Sequence, residues 1–175
     1  CKFNEIKYIR PNYEEAKKIV KQCVNEIKKA KSYEALRDNF LKAQDVLLEI
    51  DSMSSICSVR NSLDTNDVFY EEEDIANTEG MAKLSLVTKK LNEALLASPF
   101  LNEFKKEFGE LFIKTLQNEK DLIDKSIVNN IVKENKLCQK YYKEVALCKT
   151  DFKGEECNFY GLLKHMESTD REERK

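Results

Sequence analysis

The sequence predicts a mainly all-α chain, an array of about five to six long helices with one short β-hairpin near residues 148–159. Three observations carry this. Four glycines and two prolines in 175 residues leave few points where regular structure must break. Apolar residues recur at three- and four-residue spacing through most of the chain, the signature of helices with one buried face. Strand-like patterning is confined to one stretch, "CKTDFKGEECNF". The length suits one domain, and a hydrophobic fraction of 41% is enough for a sizeable core.

After an extended start that ends at Pro11, Asn12 followed by Glu15 makes an opening of the capping-box type. Ala16, Ile19, Val20, Cys23, Ile27 and Ala30 then repeat at helical spacing, and "KAKS" ends this first helix. Ser32 caps a second, along which Leu36, Phe40, Ala43, Leu47, Ile50 and Cys57 hold an apolar stripe to about residue 63. "LDTNDV" breaks it, because Asp and Asn compete for backbone hydrogen bonds outside helices. A third helix follows, acidic at "VFYEEEDI" and apolar at Leu84, Val87, Leu91 and Leu95, with Gly80 as a point of bending or interruption. Ser98 as cap and Pro99 at the first helical position open a stretch whose apolar face is Phe100, Phe104, Phe108, Leu111 and Phe112. Those rings read as core packing. A further pattern runs through Ile127, Ile131, Cys138, Tyr142 and Val145. In the hairpin, the Lys153-Gly154 pair supplies the tight turn, and "YGLLKHM" and "STDREERK" resume helical character. A two-stranded hairpin is marginal alone, so it must lie against helices or against something this chain lacks.

Charged residues make up 35% of the chain, with both signs mixed and a formal net charge of −2. No basic block exists to track a phosphate backbone, which argues against nucleic acid as partner. "CKFNEIKYIR" is not a signal-peptide core, and runs such as "ALLASPFL" are too short to span a bilayer, so the expectation is a cytoplasmic chain without a membrane partner. The six cysteines, at positions 1, 23, 57, 138, 148 and 157, show no C-x-x-C spacing. They read as buried reduced thiols, Cys23 and Cys138 lying on apolar stripes; Cys148 and Cys157 are the one pair open to a disulfide or metal role.

Catalytic chemistry is hard to find. His165 is the sole histidine, stands at no convincing metal spacing, and reads as a surface or helix-packing residue. There is no glycine-rich phosphate loop and no G-x-S-x-G elbow. "EEED" at 71–74 reads as a solvated first turn, with a cation held by the four carboxylates as the alternative. From the residues, no catalytic, cofactor-binding or metal-ligating side chain is assigned. One stretch asks for more than helix propensity: "SVRNSLDTNDVFYEEE" packs Arg60, Asn61, Asp64, Asp67 and Tyr70 into a helix-to-helix junction, where guanidinium, amide and carboxylate groups satisfy one another and the orphan helix ends. That is a way to fix an interhelical angle; a binding role is the alternative.

The ordered series "YIRPN", "SVRNSLDTNDVFYEEE", "LLASPFLNEFKKEFGELF", "KENKLCQKYYKEVA", "DFKGEECNF" and "STDREERK" resembles the amino-terminal region of oligoendopeptidase F-type zinc peptidases, relatives of thimet oligopeptidase. The similarity runs over essentially the whole chain. It departs at Cys138, Cys148 and Cys157, where small polar or aromatic residues are expected. The resemblance implies a helical, intracellular, zinc-dependent enzyme that cuts short unstructured peptides inside a deep channel, with zinc held by a histidine pair and a downstream glutamate. None of those positions maps onto this sequence.

The resemblance thus implies that residues 1–175 are the amino-terminal helical domain of a larger oligopeptidase, ending as a truncated helix, with zinc and the catalytic domain elsewhere in the polypeptide. Its partners would be the remainder of that polypeptide and, in the full enzyme, an oligopeptide substrate held against one wall of the channel. Alone, the fragment would be inactive, and a dimer would cover its exposed apolar surface. The alternative from another class is a stand-alone helical module that binds a partner peptide or helix.

Overall fold

The computed structural model describes residues 2–122, 124–172 and 174. Among them are seven α-helices and one two-stranded antiparallel sheet: α1 (Tyr13–Lys29), α2 (Tyr33–Leu63), α3 (Val68–Leu96), α4 (Leu101–Phe108), α5 (Glu110–Leu122), α6 (Lys125–Leu147), β1 (Lys149–Phe152), β2 (Glu155–Asn158) and α7 (Phe159–Met166). The mainly all-α class and the single hairpin hold. The chain divides into two compact units, Cys1–Val132 and Lys133–Lys175.

In the first unit, local chemistry sets the helix ends. Asn12 Oδ1 accepts from Glu15 N at 3.0 Å and Ser32 Oγ from Ala35 N at 3.2 Å, each satisfying a donor that a helix start leaves orphaned. Three long helices pack together, and α4 and α5 close the same core. It gathers Val20, Cys23 and Ile27 from α1, Leu36 and Phe40 from α2, Leu91 and Leu95 from α3, Phe104 from α4, and Ile113 and Leu116 from α5. Phe40 stands edge-on to Phe104 at 4.9 Å between centroids, and Phe104 stacks on Phe108 at 4.4 Å. A smaller cluster of Ala16, Ile50 and Leu84 continues the packing of α1, α2 and α3.

Three expectations about this unit change. Gly80 does not interrupt α3, which runs unbroken from Val68 to Leu96; it is buried against Tyr13, and a Cβ there would lie 2.4 Å from the Tyr13 ring. Its role is close approach of α1 to α3. Ser98 caps a turn, not a helix: its Oγ accepts from Phe100 N at 3.2 Å, and α4 starts at Leu101. The aromatic stretch is two helices, because Gly109 adopts φ 92°, ψ 159°, a conformation essentially confined to glycine, and closes α4 with its N–H on Lys105 O at 2.9 Å. Leu111 consequently faces solvent, 78% exposed, while Phe104 is buried.

The second unit holds the later part of α6, the hairpin and α7. Register pairs Lys149 with Asn158 and Thr150 with Cys157. The turn is Lys153-Gly154 with φ 57° and 84°, and Asp151 Oδ1 accepts from Gly154 N at 3.1 Å. The hairpin leans on α7, whose first turn is capped by Asn158 Oδ1 on Gly161 N at 2.8 Å. His165 packs its ring against Phe152, 4.9 Å between centroids. Cys138 and Cys148 are exposed, and Cys23, Cys57 and Cys157 are buried, all five as free thiols. The expectation of burial therefore fails for Cys148, which lies between α6 and β1, and for Cys138, beside which Leu137, Tyr141 and Tyr142 on α6 are exposed. The described part of "STDREERK" forms turns: Asp170 N donates to Ser168 Oγ at 3.1 Å and Glu172 N to Asp170 Oδ1 at 2.9 Å. Both are side-chain-to-backbone bonds of the kind that cap helix starts and turns. Glu173 and Lys175 lie outside the described residues.

Candidate functional site

The densest polar constellation lies at the elbow between α2 and α3. Asp64 Oδ1 accepts from Asn66 N at 3.0 Å, which turns the chain, and Asp67 Oδ1 accepts from Phe69 N at 3.0 Å and Tyr70 N at 3.3 Å, which caps α3. Arg60, in the last turn of α2, donates from Nη1 to Tyr70 Oη on α3 and from Nη2 to the Ile6 carbonyl. Its guanidinium also lies 5.8 Å from the Phe3 ring centroid. Asn61 Nδ2 stands 3.5 Å from Asp74 Oδ2. The five residues singled out at this junction thus bond to the helices on both sides of it, and Arg60 reaches beyond them to the segment before α1.

A second set of residues extends the constellation. Glu73, only 2% exposed, is far from solvated. Arg10 grips its carboxylate with two bonds, Nε to Oε2 at 2.9 Å and Nη2 to Oε1, and Tyr8 Oη donates to Oε2 at 2.7 Å. Asn77, one turn along α3 and equally buried, donates to Tyr8 Oη at 3.2 Å and accepts from Tyr13 Oη at 3.0 Å. The solvated reading of "EEED" is therefore wrong at Glu73. The signal was present: Glu73, Asn77, Gly80, Leu84, Val87 and Leu91 fall at three- and four-residue steps, so the buried stripe of α3 begins with a carboxylate and an amide.

The electrostatics hold Glu73 ionised and Tyr8, Tyr13 and Cys57 protonated near neutrality. Hydrogen bonds from Arg10 keep the Glu73 carboxyl below its ordinary value, against the opposing effect of burial. Burial pushes the Tyr8 hydroxyl well up, the Tyr13 hydroxyl up to about 12 and the Cys57 thiol up to about 11. A thiol so protonated is a poor nucleophile. The constellation has the chemistry of a fastener: among the described residues no buried side-chain nitrogen or oxygen lacks a hydrogen-bond partner, and Glu73, Tyr8, Tyr13 and Cys57 are not poised to exchange a proton at pH 7.

Elsewhere in this unit, Glu107 on α4 accepts from Tyr33 Oη and from Arg37 Nε at 2.5 Å, tying α4 to the start of α2, and Asn92 Nδ2 donates to Glu119 Oε2 at 3.1 Å between α3 and α5. A cleft of about 400 Å³ at the ends of α1 and α3 is lined by Ile27, Ala94, Ala97 and Pro99, with Lys28 and Glu93 as its charged groups. Among the described residues, no group of three or more His, Cys, Asp or Glu side chains is placed to hold a metal ion. No helix among them is long and apolar enough to cross a membrane.

Known proteins place this architecture. PZ peptidase A, solved with an inhibitor, is 31% identical and superposes with a TM-score of 0.91 over 99% of this chain and 31% of its own. A structure assigned as an oligoendopeptidase F matches at 27% identity and a TM-score of 0.91, again over 99% of this chain and 31% of that one. Another so assigned, from Bacillus anthracis str. Ames, matches at 28% identity with a TM-score of 0.90, covering 98% of this chain and 31% of its own. The chain therefore spans 31% of the length of these solved structures. No curated protein matches it significantly. Residues 3–123, which include the whole elbow constellation, match the family model of the peptidase M3 N-terminal domain, and the chain belongs to that family.

Proposed function

We propose that the chain is the helical amino-terminal part of a zinc-dependent oligoendopeptidase, in which it forms one wall of the channel that admits short peptides. The observation that carries this is its superposition over 99% of its own length on 31% of PZ peptidase A. The side chains described here do not fit a zinc site, so the metal and the water it activates belong, on this reading, to the remainder of the polypeptide. This chain contributes shape. α2, with 31 residues, is roughly 45 Å long at the rise of an α-helix. The elbow constellation fixes its angle to α3, so a wall built from the two keeps its form when a peptide enters. A stiff wall of that length excludes folded proteins by geometry alone.

The test compares two proteins: the 175-residue chain, and the product of its gene read through to the native stop codon. An internally quenched oligopeptide should be cleaved by the longer product, in a chelator-sensitive manner, and left intact by the chain. Cleavage by the purified chain that survives contaminant controls would overturn the proposal, as would a native stop codon directly after Lys175.

A further inference from the structure

Residues 2–12 cross the elbow with no regular structure beyond the single 3-10 turn at Phe3–Glu5, and no residue of this segment belongs to either apolar core cluster. Two charged side chains of the helices hold it. Arg60 donates to the Ile6 carbonyl and lies near the Phe3 ring, and Glu73 accepts from Tyr8 and Arg10. Alternate residues of an extended chain face the same way, so Tyr8 and Arg10 reach Glu73 together while Ile9 turns outward, 61% exposed. The Tyr8 ring adds edge contacts to Phe69 at 6.2 Å and Tyr70 at 5.8 Å.

Below the segment lies Cys57. It is fully buried yet also outside both apolar clusters; the Tyr8 hydroxyl and the Asn77 amide adjoin its thiol, and the Tyr70 carbonyl is 3.8 Å from Sγ. Of these three neighbours, Tyr8 is the one that the segment provides.

We propose that residues 2–12 form a strap that opens as a unit while the helices stay folded, fastened at Glu73 by Arg10 and Tyr8 and at Arg60 by the Ile6 carbonyl, and that opening uncovers Cys57. A segment held by polar fasteners outside the core belongs to the low-stability end of a protein, where local opening precedes global unfolding. Cys23, 1% exposed inside the main apolar core, reports global unfolding of the same unit. The two thiols therefore separate strap opening from unfolding.

The experiment is carbamidomethylation of the native chain by iodoacetamide, with each cysteine followed by peptide mass spectrometry. In the wild type, Cys57 should react more slowly than exposed Cys138 and faster than Cys23. Arg10 is 72% exposed, so R10A removes a fastener without touching the core. It should accelerate Cys57 by about tenfold, the loss of a bidentate charged contact, with Cys57 still faster than Cys23; low urea, which promotes openings in proportion to the surface they expose, should accelerate Cys23 strongly and Cys57 little. R10K, which keeps one charged contact, should fall between. If Cys57 and Cys23 react at equal rates in the wild type, if urea accelerates the two alike, or if Cys57 does not respond to R10A, the segment is not a separately opening strap.

Discussion

Glu73 shows at a single residue how much of the first unit depends on one buried charge. Its carboxyl lies below its ordinary value of 4.5 because Arg10 bonds to the ionised form. A carboxyl depressed in the folded state contributes stability that is fully present above the unfolded pKa and is lost as pH falls through the folded one. Denaturant midpoints for the wild type and E73Q should therefore differ in favour of the wild type at pH 7, and the gap should begin to close below about pH 4.5 and be smaller at pH 3. A gap independent of pH would mean that the charge of Glu73 contributes nothing. Gly80 makes the complementary point about shape. A methyl group 2.4 Å from the Tyr13 ring has to displace that ring and strain its bond to Asn77, so G80A should lower stability by about 1–3 kcal/mol in urea titration. The sequence showed Gly80 only as a helix-weakening residue. What packs against it is a tyrosine 67 positions earlier, which periodicity does not encode.

At the scale of elements, capping and periodicity made most helices legible. Asn12, Ser32 and Asp67 each bond the backbone N–H that such residues satisfy at a helix start, and the α1 stripe at Ala16, Val20, Cys23 and Ile27 is buried. Asp64 and Arg60 at the elbow were visible for the same reason, as groups that helix ends require. The Tyr8, Arg10 and Glu73 contacts were not, because they join an irregular segment to a helix more than sixty positions away. Two elements misled. The "SPF" opening and the aromatic face beyond it read as one helix, whereas Gly109 divides them and turns Leu111 outward. That division yields a sharp contrast. F104A empties the centre of the aromatic cluster and should cost about 3–5 kcal/mol, while L111A removes an exposed side chain and should stay within about 0.5 kcal/mol of the wild type. Thermal melts of the two variants check it; similar losses would mean that one continuous apolar face does exist.

At the scale of the molecule, the second unit exposes large apolar side chains on both of its helices. Leu137 and Tyr141 lie one turn apart on α6 and are 69% and 65% exposed, and on α7 Tyr160 and Met166 are 69% and 63% exposed. The periodicity of α6 predicted an apolar stripe through Ile127, Ile131, Cys138, Tyr142 and Val145, of which Cys138 and Tyr142 are exposed. Exposed apolar side chains on successive turns mark interaction surfaces, and solved peptidases with this architecture have more than twice as much chain again beyond the matched 31%. On the proposed function, that remaining chain covers the face, and without it copies of the chain cover one another. Sedimentation of the 175-residue chain should then show mass-action self-association, and L137S combined with Y160S should shift it toward monomer without altering helicity by circular dichroism. Both substitutions replace exposed side chains, so they should leave the fold of either unit intact. The read-through product should be unaffected by concentration, because its own chain already occupies the face. A chain that stays monomeric at high concentration, with these side chains open to water, would separate the exposed face from any docking role.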